Sequence, residues 1–212
     1  MDDDVDPGFD TVRTTLQSAL NVPFAVTITS SQPRDGKTRL AVGTARAFAD
    51  AGFSTILVDA NPANPSIAEA LNIAALPLVP LPLPPAGEDP PPPDAAALAI
   101  RHGEPRLDAA SIASHNLLDD IAPATVRGLT SYLRKHYDVT IIDACTVPYA
   151  PFCAQIAAAC DGVVLAVRYA RNPDPDDDRL VAKLEKLGAR IIGSVPTSFP
   201  DRPWLARLSS LF

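Results

Sequence analysis

Five short runs of β-branched and apolar residues punctuate the chain: FAVTITS (24–30), STILVDA (54–60), DVTIIDA (138–144), GVVLAVR (162–168) and ARIIGSV (189–195). Each is apolar nearly throughout rather than alternating, as strands covered on both faces are. Helical patterns lie between them, at about 37–51, 124–136, 151–160 and 176–188. Strand alternating with helix predicts an α/β fold, a doubly wound and mainly parallel sheet between two helical layers. Ligands of such sheets sit beyond the carboxyl ends of the strands. A further amphipathic helix is expected over 9–20, where Phe9, Val12, Leu16, Ala19 and Leu20 fall at helical spacing. Residues 107–114 read as one more short strand.

The pattern breaks once. PLVPLPLPPAGEDPPPP (77–93) holds nine of the chain's 23 prolines, so it reads as a loop or insertion, neither helix interior nor central strand. Its Pro-x-x-Pro pairs, Pro77 with Pro80 and Pro82 with Pro85, raise polyproline docking as the alternative to a solvated insertion. At 212 residues and 47% hydrophobic content, the chain is expected to form a single domain over 1–212. A net charge of -7 argues against nucleic acid as a partner. The start, MDDDVDPGFD, is acidic where a signal peptide is basic, and no long apolar run follows, so a cytoplasmic location is expected. Cys145, Cys153 and Cys160 lack Cys-x-x-Cys spacing and read as reduced, small buried side chains. Trp204, Leu205, Leu208 and Leu211 suggest a terminal packing helix.

The segment Ser31–Thr38, SQPRDGKT, fits the spacing G-x-x-x-x-G-K-[ST] with serine for the first glycine. It follows a strand and opens a helix, so backbone N–H groups and a helix N-terminus converge on one point, an anion cradle of the P-loop NTPase type. Ser31, Arg34, Asp35, Gly36, Lys37, Thr38 and Arg39 are the candidate phosphate-contacting residues. Lys37 would reach the β- and γ-phosphates and Thr38 would hold Mg²⁺. Asp59 and Asp143 end two other strands, and a carboxylate there is costly unless it faces a polar site. ATP or ADP with Mg²⁺ is the expected cofactor set, with Thr38, Asp59 and Asp143 at the metal.

On these stretches the chain resembles the bacterial tyrosine kinases of capsule and exopolysaccharide biosynthesis, within the wider group of partition and septum-site ATPases. FDTVRTTLQSAL is similar to their Phe-Arg-x-Leu-Arg-Thr-Asn helix, ITSSQPRDGKT to their phosphate loop, ILVDANPANPSI to their Walker A′ run, and HYDVTIIDACTV to their Walker B run. The resemblance implies catalytic roles for Lys37, Asp59 and Asp143. It also implies a membrane polysaccharide chain-length regulator or activator as partner, homo-oligomers, and recruitment to the inner face of the membrane.

The sequence departs from that pattern at the chemistry. Arg34 stands where the family has a glycine, Asn61 where it has a second Walker A′ aspartate and Ala63 where it has arginine. Cys145 and Thr146 replace Pro-Pro, Phe152 replaces an aspartate, and Thr197 meets the base-reading Asn. Gln32 stands where partition ATPases carry a lysine, and no tyrosine follows Tyr169. Three readings stay open: an ATP-dependent kinase or ATPase acting on a partner, a degenerate pseudo-kinase serving as a regulatory scaffold of polysaccharide export, and a partition-type dimerising ATPase.

Overall fold

A computed structural model describes residues 7–61, 65–74, 79–80, 100–113, 123–147, 151–169 and 171–197. The five apolar runs become β1 (Phe24–Thr29), β2 (Thr55–Ala60), β6 (Val139–Ala144), β7 (Gly162–Arg168) and β8 (Ile191–Thr197). β1, β2 and β6 are buried at every position, which is why their sequences do not alternate. The expected extra strand is β5 (Leu107–Ala113), and the sheet runs β3-β5-β2-β6-β1-β7-β8 with β4 (Arg101–Glu104) also paired to β5. All pairs are parallel except β4 with β5.

β3 is only Val79–Pro80. It lies at the sheet edge, inside the Pro-rich stretch, where a missing N–H costs no ladder bond. The rest of 81–93 lies outside the described residues, as do the Trp204–Leu211 stripe and Ala63. Neither β4 nor the one-turn α3 (Ile67–Ala70) was legible in the apolar pattern, being too short and too polar to carry a period.

The helices are α1 (Pro7–Ala19), α2 (Lys37–Asp50), α3, α4 (Pro123–His136), α5 (Pro151–Ala159) and α6 (Pro175–Lys186). One face of the sheet packs Val12 and Leu16 of α1 with Leu40, Ala41, Ala45 and Phe48 of α2. The other packs Val126, Leu129 and Leu133 of α4, Phe152 and Ile156 of α5 and Leu180 and Leu184 of α6. The result is the expected three-layer, mainly parallel α/β fold. β1 is central, with β6 on one side and β7 on the other. The chain therefore reverses its direction across the sheet at the end of β1, where such folds open their crevice.

Among the described residues no helix is long and apolar enough to cross a membrane.

Candidate functional site

The loop from Ser30 to Gly36 leaves the end of β1 and delivers Lys37 as the first residue of α2. Two of its residues take the left-handed conformation, Arg34 with φ 63 and Gly36 with φ 78. Gly36 is also the N-cap of α2, so no side chain closes the helix start. The Lys37 side chain is buried, and its Nζ donates to Ser30 Oγ at 3.0 Å, Thr146 Oγ1 at 3.3 Å and Gln32 O at 3.5 Å. All three acceptors are neutral. Burial lowers the Lys37 pKa, while Asp143 and Asp35 oppose that shift.

Thr38 Oγ1 donates to Asp143 Oδ2 at 2.6 Å and lies 3.1 Å from Ser66 Oγ. Asp143 is 1% exposed, and its Oδ1 is buried without a hydrogen-bond partner. Burial pushes its carboxyl up to about 7; the Thr38 hydrogen bond opposes the shift and Asp59 adds to it. Asp59 is the direct cross-strand neighbour of Asp143 in the β2–β6 register. It too is buried and raised by burial, but its oxygens are engaged. Oδ1 accepts from Asn61 N at 3.0 Å, and Oδ2 accepts from Ser66 N at 3.0 Å and Ile67 N at 3.3 Å. Asp59 thus ties the end of β2 to the start of α3.

The outer half of the loop faces β7, α6 and β8. Ser31 Oγ donates to Asp177 Oδ1, Gln32 Nε2 to Asp176 Oδ2 at 3.3 Å, and Arg168 Nη2 to Arg34 O at 2.6 Å. Thr197 Oγ1 donates to Asp35 O at 2.5 Å, so the hydroxyl at the position compared with the base-reading Asn is committed to the loop. The acidic stretch 174–178 takes the form of a helix start: Asp174 is the N-cap, Pro175 follows, and Asp177 completes a capping box. Arg39 lies exposed one residue past Thr38 on α2. Arg34, Asp35 and Ser31 were candidates for phosphate. Arg34 is exposed at the rim, Asp35 is buried with its side chain 3.8 Å from Arg171 Nε, and Ser31 turns its hydroxyl to Asp177.

The cysteine expectation needs correction. Cys145 and Cys153 form a disulfide, with Cα atoms 6.0 Å apart, and only Cys160 is free. The eight-residue separation carries no motif; the two meet because Cys145 stands just past the end of β6 and Cys153 lies in α5, which packs on the same face of the sheet. The bond lies against the site: Cys145 O accepts from Thr29 Oγ1 at 2.8 Å, and the next residue, Thr146, meets Lys37.

The residues present fit a phosphate with a divalent cation. A glycine-capped helix start, a buried ammonium bound only to neutral acceptors and an orphaned buried carboxylate oxygen beside a hydroxyl converge on one strand edge. The donors are hard oxygens, as Mg²⁺ prefers. Sequence reasoning missed Ser30, Arg168, Arg171 and Asp177. Ser30 stands just before the loop motif, and the other three carry no motif, since only the sheet order puts β7 and α6 beside the loop.

No protein-family model matches the chain, and no curated protein matches it in sequence. Solved structures do match. The kinase domain of Escherichia coli tyrosine kinase ETK is similar over 92% of this chain and 75% of its own, with 17% identity and a TM-score of 0.71. Cobyrinic acid a,c-diamide synthase from Mycobacterium smegmatis with bound ADP and magnesium is similar over 89% of this chain and 82% of its own, with 16% identity and a TM-score of 0.63. The MinD cell division protein of Aquifex aeolicus is similar over 88% and 73%, with 18% identity and a TM-score of 0.60. The chain has the fold of these proteins.

Proposed function

We propose that the chain is a Mg·ATP-binding protein of the bacterial tyrosine-kinase type, transferring phosphate slowly to a partner protein. The single observation carrying this reading is the convergence of Lys37, Thr38 and the orphaned Asp143 Oδ1 on the glycine-capped start of α2. Bound ATP would supply the phosphoryl group, with Mg²⁺ neutralising charge on its oxygens. Lys37, already stripped of water and held by neutral acceptors, would orient the phosphates, and Thr38 and Asp143 would hold the cation. The left-handed Arg34 and Gly36 would turn the loop's backbone toward the phosphates. The nucleotide-bound state of the M. smegmatis synthase and the kinase fold of ETK support the reading without deciding substrate. The motif resemblance points to a tyrosine on a component of polysaccharide export, reached at the inner face of the cell membrane. On this reading the described core belongs to one domain spanning 1–212.

A second reading is favoured by one observation. Asp59 accepts three backbone N–H bonds, and Asn61 stands where a second acid would be, so proton abstraction from an incoming hydroxyl is weakly supported. The chain would then be a nucleotide-binding scaffold. Calorimetric titration of Mg·ATP and Mg·ADP into the wild type and Lys37→Ala, followed by phosphate release, separates the readings. Binding lost in the variant with slow turnover supports the kinase or ATPase. Binding without turnover supports the scaffold, and no binding at millimolar nucleotide overturns both.

A further inference from the structure

Asp174, Asp176, Asp177 and Asp178 crowd the start of α6, beside a loop that the reading above assigns to phosphate. Carboxylates next to an anion site oppose binding unless their charge is met. Arg179 Nη1 meets Asp176 Oδ1 at 2.7 Å, and the Arg171 guanidinium meets Asp177. Nη2 donates to Asp177 Oδ1 at 2.6 Å and to Ser31 Oγ at 3.3 Å. Nη1 donates to Asn172 O at 3.4 Å, and Nε stands 3.8 Å from Asp35 Oδ1. The Arg171 side chain is only 16% exposed and that of Asp35 1%. Arg171 Nε has no hydrogen-bond partner, and the Asp35 carboxylate, which the Gln32 backbone amide also favours, has Arg171 as its ion-pair partner. Among the cations acting on the Asp35 carboxyl, which burial raises, Arg171 is the strongest.

Resting on the nucleotide reading, we propose that Arg171 is a positioning residue that clamps the outer half of the phosphate loop, Ser31 to Asp35, onto the start of α6 and offsets the charge of Asp177 and Asp35 beside it. The clamp acts where the loop departs from its glycine spacing. Ser31 replaces the first glycine, and its hydroxyl is the atom on which Arg171 and Asp177 meet. The neighbouring carbonyls of Arg34 and Asp35 are held from the same side by Arg168 and Thr197. A planar fork can serve acceptors on three sides at once, whereas a lysine offers one compact ammonium.

The test pairs a readout on nucleotide-free protein with one on binding. Limited trypsin digestion, followed by mass spectrometry, reports cleavage after exposed Arg34 and hence local opening of the loop. Arg171→Ala and Arg171→Lys should each speed that cut by about tenfold, and Arg190→Ala, whose Nη2 bonds Ala19 O far from the loop, should not. Mg·ADP affinity by calorimetry should fall by about tenfold in both Arg171 variants. In the Ser31→Ala background the effect of Arg171→Ala on the cut should shrink, because the two share one contact. Wild-type cleavage in Arg171→Lys, or additive effects of Ser31→Ala and Arg171→Ala, overturns the clamp. If the wild type binds no Mg·ADP, the nucleotide reading fails, and the digestion still decides whether Arg171 holds the loop.

Discussion

Arg34 carries a conformational cost that one substitution should remove. Its φ of 63 is left-handed, where the Cβ of an L-residue crowds the backbone at about 1–2 kcal/mol relative to the right-handed region. Glycine has no such crowding, but its extra freedom in the unfolded chain takes back about 0.5–1 kcal/mol. The Arg34 side chain is exposed, and the hydrogen bond from Arg168 goes to its backbone oxygen, so little else is lost. Arg34→Gly should therefore stabilise nucleotide-free protein by roughly 0.5–1 kcal/mol. At about 2–4 °C per kcal/mol for a chain of this size, Tm should rise by about 1–4 °C. Arg34→Ala is the control, since it removes the guanidinium and keeps the Cβ, and it should show no gain. Urea denaturation, read as a midpoint at constant slope, compares the two. A glycine variant no more stable than the alanine variant would falsify the claim that the loop is strained here. Titration with Mg·ADP then isolates the charge: if the guanidinium aids phosphate binding, both variants lose the same affinity.

Three further outcomes follow from the packing and the charges. In metal-free protein the folded pKa of Asp143, about 7, lies above its ordinary 3.8, so its contribution to stability is full below about pH 4 and lost as pH rises through 7. Asp143→Asn should raise the unfolding free energy near pH 8 and not near pH 4, by up to about 4 kcal/mol less the cost of an unpaired amide; a pH-independent effect would contradict this. Thiol titration of unreduced, denatured protein should find Cys160 alone, and reduction or Cys153→Ser should lower stability by about 2–3 kcal/mol for so short a loop. Three reactive thiols would exclude the bond. Gly43→Ala should destabilise by about 1–3 kcal/mol despite a better helix propensity, because a Cβ there would run into the Phe9 ring that packs α1 on α2; a gain in urea midpoint would show that α1 docks elsewhere.

Much of this was legible because buried parallel strands leave a strong trace. Uninterrupted apolar runs located β1, β2, β6, β7 and β8 to within two residues, and the Gly-Lys-Thr turn located the start of α2. Lys37 and Thr38 open α2 after the loop that leaves β1, and Asp143 lies near the end of β6, which the sheet order makes the neighbour of β1. What stayed hidden depends on contacts between segments far apart in sequence. Nothing local marks Arg171 as a partner of Ser31, 140 residues away, or Cys145 as a partner of Cys153, eight residues on. The helical pattern at 176–188 marked α6, yet the role of Asp176 and Asp177 in holding Gln32 and Ser31 appears only when α6 is set beside the loop.

The departures divide by position, and the division bears on turnover. Those in the outer loop, Ser31 and Arg34, are met by Arg171, Asp177 and Arg168, so the loop is held in place there. The departure at Asn61 has no such answer. Asp59 next to it has two backbone donors on Oδ2 and one on Oδ1, which leaves a single lone pair on Oδ1 for any incoming proton. On the proposed reading nucleotide affinity and proton abstraction are thus separable, the first assigned to Lys37, Thr38 and Asp143, the second short of one carboxylate. Asn61 is half-buried at the end of β2, so an aspartate is sterically conservative there. Asn61→Asp should raise phosphate release by about tenfold or more, a modest part of what a placed general base contributes, while leaving the Kd for Mg·ADP within about twofold. Single-turnover release with and without a tyrosine-containing acceptor peptide measures it. A variant that binds as the wild type does and releases phosphate no faster would show that the missing acid is not what limits the chemistry.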